Sequence, residues 1–421
     1  SVDKAYAEII KTQKGAKVVV AVIDSGVDIE HEDLKNVIWV NKGEIPNNGI
    51  DDDKNGYVDD VHGWNFLGDI VGENMEFVRI IKKLEPKFKG KTESSVSATD
   101  QADFAVYKRA LAEYEEEKNQ AASNKTRYEG MLEQLKPAHE ALAKKVGKED
   151  YTKEDLDMIE NPTEEDQKHI EALSRMLGYG DVTGVLKQLK GGVEYFDGRI
   201  DTHFNMNKNF RDVLGDDPDN FSDDNYGNND VDGPTEDEDD VRHGTHVAGI
   251  IAAERDNGIG MNGVANNVEI MVLRAVPDGD EYDKDIALAI RYAVDNGASV
   301  INTSFGKYYS PHPEWVWDAI KYAGENDVLI VNAAGNEGLD LDGKQVYPND
   351  QQGTGPEVSN TFLTIGALNY KYGSEMVATF SNYGKSNVDT FAPGVRIWST
   401  TQKDTYEYLQ GTSMASPAAA G

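Results

Sequence analysis

Residues 18–23 form an unbroken apolar run, Val18-Val19-Val20-Ala21-Val22-Ile23, closed by Asp24. A strand with one wet face alternates polar and apolar side chains. A run without alternation suits a strand covered on both faces, as in a parallel sheet flanked by helices. The second half of the chain repeats the theme. Strands are expected at 268–273, 300–302, 328–332 and 362–368, and helices at 284–296 and 315–326. Strand and helix alternating through short connections predict an α/β fold with a doubly wound, mostly parallel sheet. Asp24 then falls at the carboxyl end of a strand, where open sheets of this kind gather ligands and reacting groups. The same Asp also reads as the opener of an Asp-Ser-Gly turn.

Between these parts the texture changes. Residues 69–215 are rich in Glu, Lys, Gln and Ala. Phe104, Tyr107, Leu111 and Tyr114 recur at helical spacing, as do Leu135, Leu142 and Val146. This predicts an inserted α-helical subdomain, with an antiparallel helix pair turning near Asn124 or Gly130. Thr152 with Asp155, and Thr163 with Asp166, have the spacing of capping boxes. The expected organisation is a first part (1–68), the insertion (69–215) and a second part (216–421). A short first helix is expected over 3–14, ended by Gly15. The acidic stretch 216–240 reads as a solvated loop.

Four segments carry chemistry: Val20-Ala21-Val22-Ile23-Asp24-Ser25-Gly26, His243-Gly244-Thr245-His246-Val247-Ala248-Gly249, Asn332-Ala333-Ala334-Gly335-Asn336-Glu337-Gly338 and Gly411-Thr412-Ser413-Met414-Ala415-Ser416-Pro417. Ser413 stands where a glycine-led turn meets an alanine-rich helix start, so unpaired N–H groups and the helix dipole favour negative charge beside its hydroxyl. In this order the segments resemble the subtilisin-like serine protease family, over about residues 1–68 and 240–421. The resemblance implies a serine endopeptidase acting on polypeptide substrates, with Asp24, His243 and Ser413 as the triad and Asn336 as an oxyanion donor. It also implies that Ser304, Phe305, Gly306, Ala333 and Gly335 bind the substrate, and that Phe305 and Lys307 alter the cleft. His246 reads as a structural histidine, because a Glu partner for a metal is missing from its helix.

Calcium is the expected cofactor. Asp51, Asp53 and Asn55, with Gly56 at the turn and the Tyr57 carbonyl, repeat the first half of an EF-hand loop, and Asp59 or Asp60 would close the shell. A solvated acidic turn is the alternative. The family resemblance adds a second site, with Asp33 and Asn257 as ligands.

Lys and Arg total 42 against 76 Asp and Glu, giving a net charge of −34. That balance argues against nucleic acid and anionic membranes as partners. No run is long and apolar enough to span a bilayer. The chain has no cysteine, hence no disulfide or thiol nucleophile. Ser1-Val2-Asp3-Lys4 shows no leader, so a processed form is expected, and the family resemblance implies a secreted or exported, bacterial protein. Asp24 and His243 lie 219 positions apart, where the family resemblance implies only a few dozen, so the insertion is expected beside the active site. Its aromatic stripe reads as the seam between helices, with a surface for a partner or an inhibitory segment as the alternative. Gly421 comes soon after Ser413. Two rival readings therefore stand beside the protease: an incomplete, inactive fragment, and a calcium-dependent binding protein working through its insertion.

Overall fold

The computed structural model describes the chain except residues 1, 12, 14, 179, 235–239 and 354. It divides into two compact units, one of Ser1–Glu76 with Asn209–Gly421, the other Phe77–Lys208. In chain order the helices are α1 (Val2–Ala5), α2 (Glu76–Phe88), α3 (Gln101–Val146), α4 (Lys153–Asp157), α5 (Glu164–Leu177), α6 (Val182–Asp201), α7 (Arg242–Ala252), α8 (Asp283–Asp295), α9 (Pro313–Glu325) and α10 (Thr412–Ala420). The strands are β1 (Val18–Asp24), β2 (Gly63–Asn65), β3 (Val268–Arg274), β4 (Val300–Thr303), β5 (Leu329–Ala333), β6 (Phe362–Leu368), β7 (Thr390–Pro393), β8 (Ile397–Thr401) and β9 (Thr405–Leu409).

Seven strands form one sheet in the order β2-β3-β1-β4-β5-β6-β7, and every pairing in it is parallel. The strand β1 explains its own sequence. Ala21 and Ile23 face a core shared with Ile286 and Ile290 of α8 and Val316 and Ile320 of α9. Val20 and Val22 face the opposite core, with Val247 and Ile251 of α7 and Met414 of α10. Both faces are dry, so no polar alternation is needed. Burying a Val or Ile side chain contributes roughly 1.5–3 kcal/mol. The order changes direction at β1, with β3 on one side and β4 on the other, so the carboxyl ends of these strands open a crevice. β8 and β9 form a separate antiparallel hairpin.

Elsewhere the structure departs from the expectations. The first helix is short: α1 passes into a π-type turn at Tyr6–Ile10, and Lys11 at φ 54° ends it ahead of Gly15. In the helical unit, α3 is one continuous helix rather than a pair. It passes Asn124, Gly130 and even Pro137 without turning. Its 46 residues span about 70 Å at helical rise. One glycine costs a helix only about 1 kcal/mol, and α5 and α6 pack along this one. Leu135, Ala138 and Leu142 share a core with Leu173 and Leu177 of α5 and Val182, Val185 and Leu189 of α6. The break comes at Gly147, left-handed at φ 81°, whose N–H closes on the Ala143 carbonyl. Both capping boxes are formed.

The stretch from 216 is not simply solvated. The Asp216 carboxylate is buried and accepts from Arg211 (2.8 Å) and Lys284 (2.7 Å), while Arg211 also clamps Asp285. A buried cation needs such partners, and this network fastens residues 211–216 to α8. The sheet unit therefore begins again at Asn209, ahead of the expected boundary. Residues 235–239 of the acidic stretch lie outside the described residues.

Candidate active site

Each motif sits where a strand or helix ends at the crevice. Asp24 is the last residue of β1, almost wholly buried, and its Oδ1 accepts the Ser25 N–H at 2.8 Å. His243 is the second residue of α7, and its Nδ1 lies 2.7 Å from Asp24 Oδ1. α7 can approach β1 because Gly244 has no side chain: a Cβ there would stand 2.0 Å from the Gly26 carbonyl oxygen. Burial disfavours the charged imidazole, yet the Asp24 charge and its hydrogen bond outweigh that and hold the His243 pKa above its usual value. With Nδ1 given to Asp24, Nε2 is the nitrogen left for proton transfer.

Ser413 is the second residue of α10. Its Oγ donates to the Ser304 carbonyl at 3.0 Å, beyond the end of β4, and in return Ser304 Oγ donates to the Ser413 carbonyl at 2.9 Å. The second bond has a cause in the sequence. Four residues on stands Pro417, which has no N–H to give the Ser413 carbonyl within the helix. Ser304 supplies the missing donor. It is held by Asn302 Nδ2 at 2.9 Å, while Ser416 Oγ donates to Asn302 Oδ1 at 2.8 Å.

Asn336 follows β5. Its Oδ1 accepts from the Thr412 N–H (2.8 Å) and hydroxyl (3.0 Å), and Thr412 Oγ1 in turn accepts the Gly335 N–H at 3.0 Å. The oxygen is thus tied to the residue before Ser413, which turns the amide N–H pair the other way. Gly335 stands at φ 100°, with Asn382 Nδ2 only 2.3 Å from where a Cβ would be. Thr412 lies inside a quoted motif, but its hold on Asn336 is not written there, and Asn382 escapes sequence reasoning because a lone amide carries no spacing signal.

Of the other expected binding residues, Ser304 is buried, Phe305 packs partly against the α8–α9 core, Gly306 is exposed and Ala333 ends β5. Lys307 does not charge the cleft as expected. It is buried, with Nζ 2.8 Å from Glu76 and 2.9 Å from Asp283. His246 is buried in α7. Its Nε2 meets the Ile397 and Glu407 carbonyls at 3.1 and 3.2 Å, and burial pushes its pKa down to about 4.

The acidic loop brings Asp51 and Asp53 together with Glu44, a residue not anticipated, their oxygens all within 4.8 Å of one another. These carboxylates also build the loop: Glu44 accepts the N–H groups of Asp52 (2.8 Å) and Asp53 (3.0 Å), and Asp51 that of Gly56 (2.9 Å). Asn55 Oδ1 accepts the Tyr57 N–H at 2.8 Å, and its Nδ2 donates to Asp60 at 2.8 Å. Asp59 turns away and accepts the N–H groups of Asn48 (3.0 Å) and Gly49 (2.8 Å). The Tyr57 ring packs edge-on against Trp64 and Tyr292. Asp33 and Asn257 do meet, but through an N–H: Asn257 Nδ2 donates to Asp33 Oδ1 at 2.6 Å, and Met261 N–H donates to Oδ2 at 3.0 Å.

The structure is thus an α/β fold whose mostly parallel sheet carries an Asp–His pair, and a Ser in the first turn of a helix, at its carboxyl edge. The model of the subtilase family of S8 peptidases matches residues 15–421. The chain belongs to the subtilase family. It is 42% identical over 180 residues to a thermophilic serine proteinase of Bacillus sp. (strain AK1), covering 42% of this chain and 41% of that protein. It is also 42% identical over 185 residues to a cell wall-associated protease of Bacillus subtilis (strain 168), covering 43% of this chain and 18% of the other. A solved cold-adapted subtilisin-like serine proteinase is 31% identical, covering 43% of this chain and 59% of that one, with a TM-score of 0.34. The chain thus spans less than half the length of these two Bacillus relatives. No helix among the described residues is long and apolar enough to cross a membrane.

Proposed function

We propose that this chain is a serine endopeptidase, with the 2.7 Å contact between His243 and Asp24 as the observation that carries the reading. Ser413 Oγ leaves the Ser304 carbonyl, passes its proton to His243 Nε2 and attacks the peptide carbonyl. Asp24 keeps the proton on Nδ1 and stabilises the imidazolium. Asn336 Nδ2 and the Ser413 N–H donate to the oxyanion that forms, a role whose standard example is itself an asparagine of a subtilisin. His243 then protonates the leaving amine, and water repeats the sequence on the acyl-enzyme. Labelling with a fluorophosphonate probe and mapping the adduct tests this. An adduct on Ser413 that vanishes in Ser413→Ala is expected, and a folded chain that takes up no probe refutes the reading.

Calcium belongs to the same proposal, held by Glu44, Asp51 and Asp53. Three converging carboxylates repel one another, backbone N–H groups offset only part of that, and a hard cation such as calcium suits their oxygen donors. The ion would brace the loop before β2. An unfolding midpoint that falls on chelation in the parent protein, but not in Glu44→Gln, is the expected result. Equal midpoints with and without chelator remove the site. Release outside the cell is proposed on family membership alone.

A further inference from the structure

Arg274, the last residue of β3, is wholly buried beside the catalytic edge and paired in register with Asp24. All five of its N–H donors are used. Nε donates to the Ser25 carbonyl at 3.0 Å. Nη1 donates to Asn65 Oδ1 (3.1 Å) and the Gly68 carbonyl (3.0 Å), and Nη2 to the Ile70 carbonyl (2.6 Å) and the Asp240 carboxylate. These acceptors lie in three segments: the turn that carries Asp24, the end of β2 with the stretch after it, and the residue three before His243. The backbone is moulded to this side chain. A Cβ on Gly26 would lie 3.1 Å from Arg274 Cδ, and one on Gly233 would lie 2.9 Å from Nε. The Asp240 carboxylate is itself almost fully buried.

We infer that Arg274, paired with Asp240, is a positioning residue that sets the start of α7, and so His243, against Asp24. The inference rests on the proposed triad. The need is plain: Asp24 and His243 are 219 positions apart, and the chain between them leaves the sheet unit and returns. One rigid fork reaching both the Ser25 turn and Asp240 fixes that distance. Lysine offers a single ammonium and cannot bridge three segments in a plane.

Titration of the His243 imidazole by NMR separates positioning from bulk stability. The groups that set its charge are Asp24 from β1, and Arg242 and His246 on its own helix, with Glu407 of β9 paired to Arg242. A loosened Asp24 contact removes what favours the imidazolium, so the His243 pKa falls toward its ordinary value in Arg274→Lys and in the milder Asp240→Asn. His246, on the same helix, reports that α7 is still folded if its resonances stay in place. In parallel, kcat falls on the order of 10²-fold for Arg274→Lys, the size of effect a misplacement of about 1 Å can have, while KM is unchanged. An unchanged His243 titration in both variants, with His246 unmoved, overturns the inference. A fall in activity that only tracks the folded fraction also overturns it. Failure of the parent protein to label at Ser413 would instead count against the triad, and the titration still decides the role of Arg274.

Discussion

Replacing Ser304 by alanine probes the link between β4 and α10 through a single hydroxyl. The change removes the donor to the Ser413 carbonyl and the acceptor for Asn302 Nδ2, both at 2.9 Å in a site where Ser304 is almost fully buried. Leaving a buried polar group unpaired costs about 1–3 kcal/mol, so Ser304→Ala is expected to destabilise the sheet unit by about 2–4 kcal/mol. All five tryptophans, at 39, 64, 315, 317 and 398, lie in that unit. Urea unfolding followed by tryptophan fluorescence therefore reads it apart from the helical unit. The cause can be isolated with Pro417→Ala, which restores a helical N–H four residues after Ser413. In that background Ser304→Ala should cost about 1–2 kcal/mol less, a coupling a double-mutant cycle resolves. Additivity of the two changes within about 0.3 kcal/mol would refute the argument that Ser304 stands in for the donor Pro417 lacks.

Other expectations follow from single features. His246 has a folded pKa of about 4, below its unfolded value, so protonation favours the unfolded chain. Its stabilising effect is complete above about pH 6.5 and is lost as pH falls toward about 4, amounting to about 3 kcal/mol; in His246→Gln the urea midpoint should vary less over that window. Gly130 is exposed inside α3 with open space where a Cβ would go. Gly130→Ala should therefore stabilise the helical unit by about 0.5–1 kcal/mol, seen as a later loss of far-ultraviolet ellipticity on heating; destabilisation would mean the helix turns there after all. At Gly192 a Cβ would lie 2.6 Å from the Tyr128 ring, and Gly192→Ala should cost about 1–3 kcal/mol, an effect that shrinks when Tyr128 is also made leucine.

Legibility follows the length and periodicity of each signal. β1, β3 and β6 are readable because long apolar runs leave little choice, and α8 and α9 because their periodic faces meet the sheet. β2 has three residues, too few for a period. The β8–β9 hairpin turns through Gln402, Lys403 and Asp404, the last two at φ 61° and 54°, with none of the glycine that marks such turns in sequence. α3 reads as two helices because Asn124 and Gly130 look like punctuation, while the packing of α5 and α6 that overrides them is written elsewhere in the chain. At the site, the motif residues Asp24, His243, Asn336 and Ser413 can be named from the segments that carry them. Thr412, Arg274 and Glu44 cannot, since the contacts that give them a role depend on how distant segments are folded together.

The pairing of β1 with β3 and β4 also bears on how the chain folds. Val18 meets Val268, and Val20 meets Val300, so the central strand must wait for partners made much later in synthesis. Contacts so distant in sequence make for slow folding. The entropic cost of closing the loop rises only by about 0.6 kcal/mol per doubling of its length, and Phe77–Lys208 is a compact unit of its own. A nascent chain can therefore complete the helices while Val18–Asp24 is still unpaired, an exposed β-branched segment open to aggregation until residue 303 has emerged.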